Sequence, residues 1–340
     1  MADGPRVGVV MLAFGEEPVL DQAIAAVLAS EHVTVRLVLV DNGCTRPDVA
    51  ELTALPGVHL LRPDRNLGFA GGVDAGAGLV DEEFLALVNS DAIVAPDALA
   101  RLVDVARQPG VGIASGSIRL AADPSTMNSA GNPVHMLGLS WAGGLGEPAG
   151  AHAQPRDVAS ASGAGLAMRR AVWQELGGFP PEFFAYQEDL ELSWRVWQSG
   201  RSVRYVPDAV VVHHYEFSRN ALKMYLLERN RLLFVLSCYG TRTLVLLAPL
   251  LMAFEVAMGV VALAQGWGGQ KARGWGWVLR HLGWIRARRR TVQAARTVPD
   301  RELSSLWALR FAAAAMPLPG WAAPLQSVVA GYCTVVRALL

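Results

Sequence analysis

The sequence predicts an α/β fold, in which a mixed but mostly parallel sheet is flanked by helices and followed by a helical C-terminal extension. Continuous apolar runs at residues 7–14, 35–40 and 84–88 are typical of parallel strands that are buried on both faces. A helical pattern between the first two runs completes a βαβ unit, whose ligands bind at the carboxyl ends of the strands. A long apolar segment at residues 244–264 predicts the extension.

Polar residues follow three of the predicted strands. Asp41 follows the second strand, Asn66 lies in a glycine-rich turn after a third at residues 58–61, and Asp91 follows a fourth at residues 84–88. Such residues are also common in ordinary turns. Because the carboxyl ends of parallel strands meet at one edge of a sheet, their joint placement also predicts a binding site. A divalent metal at Asp91 would let these acidic strand ends accept a diphosphate.

Other classes of protein fit the sequence less well. A dinucleotide-binding oxidoreductase would need Gly-x-Gly-x-x-Gly after the first strand, where this chain has Gly-Glu-Glu-Pro, and Gly163-Ala-Gly165 lacks the third glycine. The 30 basic and 30 acidic residues cancel, which gives no support for binding nucleic acid. Three widely spaced cysteines favour neither a disulfide framework nor a zinc site, and a reducing compartment is the simplest inference.

The middle of the chain continues the pattern less regularly. We expect a strand at residues 111–118 and then an irregular segment at residues 121–156, which is either a functional loop or a flexible insertion. A helix at residues 171–176 and a strand at residues 203–212, interrupted by Pro207, complete the predicted domain.

The stretch at residues 179–195 contains the candidate catalytic group. Aromatic residues and two prolines lead into adjacent carboxylates, Glu188 and Asp189, and then into an apolar pattern with helical spacing. Asp189 is therefore expected at a loop-to-helix junction, where its carboxylate can take a proton from an incoming hydroxyl. The alternative is that Asp189 caps the helix while Glu191 pairs with Arg195 one turn later.

In this order, the motifs resemble the family 2 glycosyltransferases of the GT-A fold, especially bacterial rhamnosyltransferases that act on lipid-linked precursors. Members of the family are inverting enzymes that move a sugar from a nucleoside diphosphate donor to an acceptor hydroxyl. The motifs that carry the resemblance are Asp41-Asn-Gly, Asn66-Leu-Gly-Phe-Ala-Gly-Gly, Asn89-Ser-Asp91, the block from Gly177-Gly-Phe to Glu188-Asp189 with Arg195, the segment from His213 to Ser218, and Arg229-Asn-Arg.

The resemblance implies roles for the residues at the strand ends. Asp41 would contact the base or ribose of the donor nucleotide, and Asn66 and Gly68 would shape that pocket. Asp91 would coordinate Mg²⁺ or Mn²⁺ bound to the diphosphate. His213 would join the metal or the leaving phosphate, with a hydrogen-bonded structural histidine as the alternative.

The resemblance also implies that Asp189 is the general base. Glu188 and Arg195 are further candidates for the substrate site, although Arg195 is also placed to brace the base loop through Glu191. One departure matters, because Asn89 stands where the family's metal motif has its first Asp. This leaves open a second interpretation, in which the chain is a catalytically silent scaffold subunit that binds nucleotide sugars in a glycan-assembly complex.

The C-terminal region predicts contact with a membrane. Residues 244–264 are long enough to span a bilayer and are interrupted only by Pro249 and Glu255, and a cluster of tryptophan and arginine residues follows. We expect peripheral or re-entrant attachment, either as a hairpin bent at Pro249 or as an in-plane helix. A second crossing at residues 321–340 is a further alternative. A buried soluble helix or a homodimer interface is the alternative use of this segment.

These observations define the predicted organisation. Residues 1–240 are predicted to form the catalytic domain that binds the nucleotide sugar, and residues 241–340 a helical membrane-associated region. Because the N-terminus lacks the pattern of a signal peptide, the catalytic domain is expected at the cytoplasmic face of the membrane. The expected partners are a dTDP- or UDP-sugar, with dTDP-rhamnose as the first candidate, a lipid-linked glycan acceptor and membrane lipids.

Overall fold

The computed structural model describes residues 4–46, 48–52, 54–214, 220–311 and 323–340. The strands in these ranges are β1 (Arg6–Gly15), β2 (Thr34–Cys44), β3 (Val58–Leu61), β4 (Phe84–Val88), β5 (Ala92–Val94), β6 (Val111–Leu120), β7 (Asp123–Ser129), β8 (Val134–His135), β9 (Arg156–Asp157), β10 (Gly165–Arg169), β11 (Ser202–His213) and β12 (Trp307–Ala308). The helices are α1 (Leu20–Leu28), α2 (Val49–Leu52), α3 (Gly68–Ala77), α4 (Ala98–Ala106), α5 (Arg170–Leu176), α6 (Glu188–Gln198), α7 (Ala221–Cys238), α8 (Thr241–Ala264), α9 (Gly268–Arg280), α10 (Leu282–Ala295), α11 (Asp300–Leu303) and α12 (Ala323–Leu339).

One large sheet organises the first part of the chain. Its strand order is β3-β2-β1-β4-β10-β6-β11-β5, with β7 beside β6 and β9 beside β11. The four strands from β3 to β4 are parallel, and so are β6 and β11. β10 runs antiparallel between β4 and β6. The predicted mixed, mostly parallel α/β sheet flanked by helices is therefore confirmed.

The sheet forms because its central strands are apolar on both faces. All five residues of β4 are buried, as are seven consecutive residues of β1. The apolar face of α1 contributes Leu20, Ile24 and Val27 to the same core. The parallel arrangement of β2, β1 and β4 brings the residues that follow these strands to one edge of the sheet.

Two regions differ from, or refine, the predicted elements. The segment at residues 121–156 is not irregular throughout, because β7 pairs antiparallel with β6. The sequence of β7 begins with polar residues and has no apolar alternation, so only the partner strand makes it a strand. β11 was predicted correctly, and its interruption is a register shift between Val206 and Val210, around Pro207.

The chain divides into two compact units. The first consists of Met1–Asn132, Ala142–Val196 and Arg201–Glu216, and it contains the large sheet. The second consists of Pro133–Trp141, Trp197–Gly200 and Phe217–Leu340. α7 lies in the second unit, where it packs against α9 and α10, although it precedes the predicted boundary at residue 240. The assignment of residues 1–240 to catalysis and of residues 241–340 to the membrane remains a prediction.

A paired charge lies on α8 in the second unit. The carboxylate of Glu255 accepts hydrogen bonds from Arg231 on α7, from Lys271 on α9 at 3.1 Å and from Trp275 at 2.7 Å. Lys271 also donates to Glu228 at 2.5 Å, and both Lys271 and Arg231 are buried. The charge that interrupts the apolar segment is therefore neutralised by neighbouring helices.

The course of α8 bears on the expected hairpin at Pro249. α8 is a continuous helix with Pro249 in its interior, so the predicted alternative of a hairpin bent at Pro249 is wrong. The predicted alternative of a second crossing at residues 321–340 begins outside the described residues, and α12 accounts for the remainder.

Candidate active site

Asp41 is fixed at the carboxyl end of β2. Its Oδ1 accepts hydrogen bonds from the backbone N–H groups of Gly43 at 3.2 Å and Cys44 at 2.9 Å. Its Oδ2 accepts a hydrogen bond from Nε of Arg62 at 2.8 Å. The side chain is buried. These bonds hold one carboxylate in a defined orientation at the edge of the sheet, where the sequence placed Asp41.

Asn42 and Asn66 lock the next turn in place. Nδ2 of Asn42 donates to Oδ1 of Asn66 at 2.9 Å and to the carbonyl oxygen of Gly68 at 3.2 Å, while its Oδ1 accepts from the N–H of Leu67 at 2.9 Å. Oδ1 of Asn66 also accepts from the N–H of Gly68 at 2.7 Å. Asn42 is a further residue of this site, to which its sequence position alone assigned no role. Its position between Asp41 and a glycine, directly after a buried strand, was the available signal.

Gly68 connects this turn to the loop that precedes Asp189. Gly68 has φ of +71°, and a Cβ atom added to it would lie 2.3 Å from the carbonyl oxygen of Phe184. The same carbonyl accepts a hydrogen bond from the N–H of Ala70 at 2.9 Å. Only glycine combines this backbone conformation with this close approach. Gly68, which was expected to shape a pocket, packs against the backbone of Phe184.

The loop before α6 is strained. Phe184, Tyr186 and Gln187 have φ values of +62°, +71° and +67°, which residues other than glycine rarely adopt. Such strain persists only where the surrounding structure enforces it, and it is typical of functional loops. Asp189 lies in the first turn of the helix that follows, so the predicted loop-to-helix junction is confirmed.

The two adjacent carboxyl groups differ in their surroundings. Oδ2 of Asp189 accepts the N–H of Gly163 at 3.1 Å and its Oδ1 accepts the N–H of Leu190 at 2.7 Å, and the side chain is only partly buried. Burial raises the pKa of Asp189, and these backbone hydrogen bonds oppose the rise. Burial and the neighbouring Asp189 raise the pKa of Glu188 well above its usual value. Of these two carboxyl groups, that of Asp189 therefore loses its proton more readily than that of Glu188.

Gly163 is a site residue that sequence reasoning missed. Its only sequence signal is an incomplete dinucleotide motif, Gly163-Ala-Gly165. In the structure its N–H group orients the carboxylate of Asp189 from a different part of the chain. No local sequence pattern connects residue 163 with residue 189, so only the folded sheet reveals this contact.

Arg195 fixes α6 to the backbone at the end of α5. Its Nε donates to Glu191 at 2.8 Å, and its two terminal nitrogens donate to the carbonyl oxygens of Leu176 at 2.5 Å and Gly178 at 2.6 Å. Arg195 and Glu191 are both buried. This geometry agrees with the bracing role and directs the guanidinium into the protein, whereas the prediction that Arg195 binds substrate would need it exposed.

Asp91 and His213 lie together at the sheet edge. Nε2 of His213 is 3.0 Å from Oδ1 of Asp91, and its Nδ1 is 3.0 Å from Oδ1 of Asn128. Because the amide oxygen of Asn128 accepts a hydrogen bond, it favours a proton on Nδ1. Nε2 of His213 then faces the carboxylate of Asp91. Residues 215–218 of the same motif lie outside the described residues.

The donor set fits a divalent cation. Oδ1 of Asn89, next to Asp91 in the sequence, is buried without a hydrogen-bond partner, and Nδ2 of Asn89 is 3.5 Å from Nε2 of His213. Hard cations in phosphate sites are held by one or two carboxylates and complete their coordination with phosphate oxygens and water. No group of three or more His, Cys, Asp or Glu residues that could hold a metal occurs within the described ranges. The candidate is therefore a partial site, which substrate oxygens would complete.

Glu17 holds the turn that presents Asp91. Its Oε1 accepts hydrogen bonds from Oγ of Ser90 at 2.8 Å and from the N–H of Phe14 at 3.0 Å. Burial raises the pKa of Glu17. In the sequence, Glu17 is recognisable only as part of the turn after β1. Its distance from Ser90 in the sequence gave no signal of the contact.

Replacing Gly68 by Ala is expected to destabilise the first unit by about 2–4 kcal/mol, because the new methyl group meets the Phe184 carbonyl and the residue must keep a positive φ. Urea unfolding measures the change. Gly150→Ala is the matched control, since no atom lies within 4 Å of its added Cβ. Equal stabilities for the two variants would show that the contact with Phe184 is not tight.

Glu188→Gln is expected to raise stability at about pH 8 and to leave it nearly unchanged at about pH 4. The pKa of Glu188 is raised in the folded state, so folding loses stability as pH rises above the usual Glu value, and glutamine removes that loss. Thermal unfolding at both pH values measures this. The exposed Glu83→Gln is the control, with an expected change below about 0.5 kcal/mol. A loss of stability at both pH values would contradict the assignment.

Comparison with known proteins identifies the family. The family model described as "Glycosyltransferase like family 2" matches residues 5–234. N-acetylglucosaminyl-diphospho-decaprenol L-rhamnosyltransferase of Mycobacterium tuberculosis is 30% identical over 233 residues, which cover 61% of this chain and 75% of that protein.

Solved structures show the same fold. The mannosyltransferase PcManGT from Pyrobaculum calidifontis, in complex with GDP-Man and Mn²⁺, is 17% identical with a TM-score of 0.52, covering 99% of this chain and 87% of that chain. GalNAc-T7 with UDP, GalNAc and Mn²⁺ is 16% identical with a TM-score of 0.53, covering 68% of this chain and 50% of that longer chain. The chain belongs to the family 2 glycosyltransferases, has the GT-A fold and is a nucleotide-sugar-dependent glycosyltransferase.

Proposed function

We propose that this glycosyltransferase inverts the configuration of the sugar that it transfers, and that its acceptor is a hydroxyl group of a lipid-linked or cell-envelope glycan. The observation that carries this proposal is the placement of Asp189. Its carboxylate is oriented by the N–H of Gly163, lies after a strained loop, and is connected through Phe184 and Gly68 to the turn of Asn66. One oriented base beside the donor turn is what direct displacement requires.

In the proposed reaction, Asp189 accepts the proton of the acceptor hydroxyl. The hydroxyl oxygen forms the new bond to the anomeric carbon as the bond from that carbon to the diphosphate oxygen breaks. The raised pKa of Asp189, caused by burial, makes it a better proton acceptor near neutral pH than an exposed aspartate. Its hydrogen bonds to Gly163 and Leu190 keep the carboxylate oriented before the acceptor arrives.

The donor is proposed to bind along the edge formed by β2, β1 and β4. Asp41 would contact the base or ribose, and the locked turn of Asn66 and Gly68 would shape the adjoining wall. The name of the mycobacterial relative supports rhamnose as the transferred sugar, which makes dTDP-rhamnose the first donor to try, with UDP-sugars next. Glu188 is proposed to support the pocket beside Asp189 in its protonated form.

Asp91 and His213 are proposed to hold Mg²⁺ or Mn²⁺ bound to the diphosphate. The 3.0 Å approach of a carboxylate oxygen and an imidazole nitrogen, and the unpartnered oxygen of Asn89, support this. Two structural neighbours of the fold were solved with Mn²⁺. When bound, the ion would act as a Lewis acid that neutralises charge on the departing diphosphate. Ser90 and Glu17 keep Asp91 in place for this role.

The acceptor and the location are proposed together. The mycobacterial relative is named for a decaprenol-linked substrate, and α8 of this chain is long and apolar enough to enter a membrane. We place the enzyme at the cytoplasmic face of the membrane, in contact with lipids and with a lipid-linked acceptor. The second candidate, a silent scaffold subunit, is favoured only by Asn89 in place of the first metal-motif carboxylate.

Asp189→Asn is expected to lower sugar transfer at least about 100-fold while donor binding stays within about twofold, because the amide cannot accept the proton. Nucleotide release and glycolipid formation with detergent-solubilised protein, a native lipid extract and a panel of nucleoside diphosphate sugars measure transfer. Calorimetry measures donor binding. Asp104→Asn, at an exposed position on α4, is the control and should keep full activity. Donor binding without turnover in the parent chain would support the scaffold instead.

Metal removal is expected to lower transfer, and added Mg²⁺ or Mn²⁺ should restore it. Asp91→Asn should raise the metal concentration needed for half-maximal activity about tenfold or more, since one carboxylate carries most of the site's charge. A metal titration of activity measures both effects. Full activity in a chelator, with an Asp91→Asn variant that behaves like the parent, would remove the metal from the proposal.

A further inference from the structure

We propose that α8 lies flat in the interfacial layer of a lipid bilayer, with one apolar face towards the acyl chains, and does not cross the membrane. This inference deepens the proposed membrane association and does not depend on the transfer chemistry. It rests on three features of the second unit: an exposed apolar stripe, the partners of Glu255, and the charge of the segment that follows α8.

The apolar stripe runs along the whole of α8. Only 6% of its most apolar 18-residue stretch is buried, so the protein itself does not cover this surface. The stripe includes exposed residues at three- and four-residue spacing, namely Val245, Ala248, Met252, Val256, Val260 and Leu263. α8 is apolar on all its sides, so its composition suits a lipid environment but does not decide whether it crosses the bilayer or lies in the interface. The partners of Glu255 decide between these two orientations.

α12 adjoins this surface. The hydroxyl of Tyr332 donates to the carbonyl oxygen of Leu246 on α8 at 2.8 Å. α12 exposes further apolar side chains, among them Val328, Val335 and Leu339. The exposed apolar area of the second unit therefore comes from two neighbouring helices, which is larger than scattered surface residues produce.

The other side of α8 is fixed by Glu255. Its carboxylate is bound by Arg231 from α7 and by Lys271 and Trp275 from α9. Neither α7 nor α9 is long and apolar enough to span a bilayer, and α8 alone passes that test within the described ranges. If α8 crossed the membrane, its middle would carry Arg231 and Lys271 and their polar helices into the hydrocarbon region. A helix lying in the interface leaves these charges on the water side.

The segment after α8 identifies the partner as an anionic lipid surface. Residues 266–299 contain seven arginines and one lysine and no Asp or Glu. Lys271 is buried against Glu228 and Glu255, and the exposed cations of the segment are Arg273, Arg280, Arg286 and Arg290. Trp267, Trp275, Trp277 and Trp284 are interspersed with them, as in membrane-interface segments. A second copy of the chain would bring two such cationic segments towards each other, whereas anionic headgroups would neutralise them.

The test measures depth along α8. A cysteine is introduced at Val245, Val256 or Leu263 of the full chain, one per variant, and labelled with bimane. The signal from bimane on the native cysteines is measured in the parent protein and subtracted. The protein is bound to phosphatidylcholine vesicles with phosphatidylglycerol. Lipids that carry a quencher near the headgroup or near the chain end report the depth of each label. The proposal expects the same shallow depth at all three positions.

Two other outcomes overturn the proposal. A deep label at Val256 between shallow labels at Val245 and Leu263 would show that α8 crosses the bilayer. No quenching at any position, with concentration-dependent crosslinking between copies, would show that a second copy covers the stripe. Binding should also weaken without phosphatidylglycerol and with added salt, as expected for arginine-rich segments at anionic surfaces.

Matched variants separate the stripe from folding. Val256 is exposed, so Val256→Asp should leave the circular dichroism of the free protein unchanged and weaken vesicle binding about tenfold or more. Val256→Ala, which stays apolar, is the control and should weaken binding less than about threefold. Equal binding of the Asp and Ala variants would mean that the stripe does not enter the lipid.

Discussion

The contact between Gly68 and the carbonyl of Phe184 is the constraint on which the candidate site depends. It joins two loops that come from distant parts of the chain. Asn42 and Asn66 fix the first loop, and α6 follows directly after the second. A side chain at position 68 would separate them. The strained loop from Phe184 to Gln187 packs against Gly68 through this contact. Asp189 follows directly after the loop, so the loop sets its position. The turn that is proposed to bind the donor and the candidate base are thereby held together by one backbone contact.

Carboxylates in this protein differ mainly in what surrounds them. Asp41 is satisfied by backbone N–H groups and Arg62, whereas Glu188 is buried beside another acid and is driven towards its neutral form. Asp189 lies between these extremes, with two N–H donors and partial exposure. Glu255 shows the same principle in the second unit, where cations from two helices make a charge tolerable on an apolar helix.

Much of the fold could be predicted because buried parallel strands leave continuous apolar runs in the sequence. β3 and β4 begin and end where the pattern predicts, and α6 begins at Glu188. The contacts that finish the site could not be predicted, since Gly163, Asn128 and Glu17 reach it from strands and turns that are distant in the sequence. β7 was missed for the same reason, because its partner and not its own residues makes it a strand.

The proposed reaction uses one base in a direct displacement, and the stereochemistry of the product tests this most directly. The donor that supports turnover is used with the native lipid acceptor, and the anomeric configuration of the new linkage is determined by NMR. Because Asp189 is proposed only to accept a proton, we expect a linkage of opposite configuration to that in the donor. A linkage of the same configuration would contradict the proposed reaction, since retention by double displacement requires a protein nucleophile that bonds to the sugar.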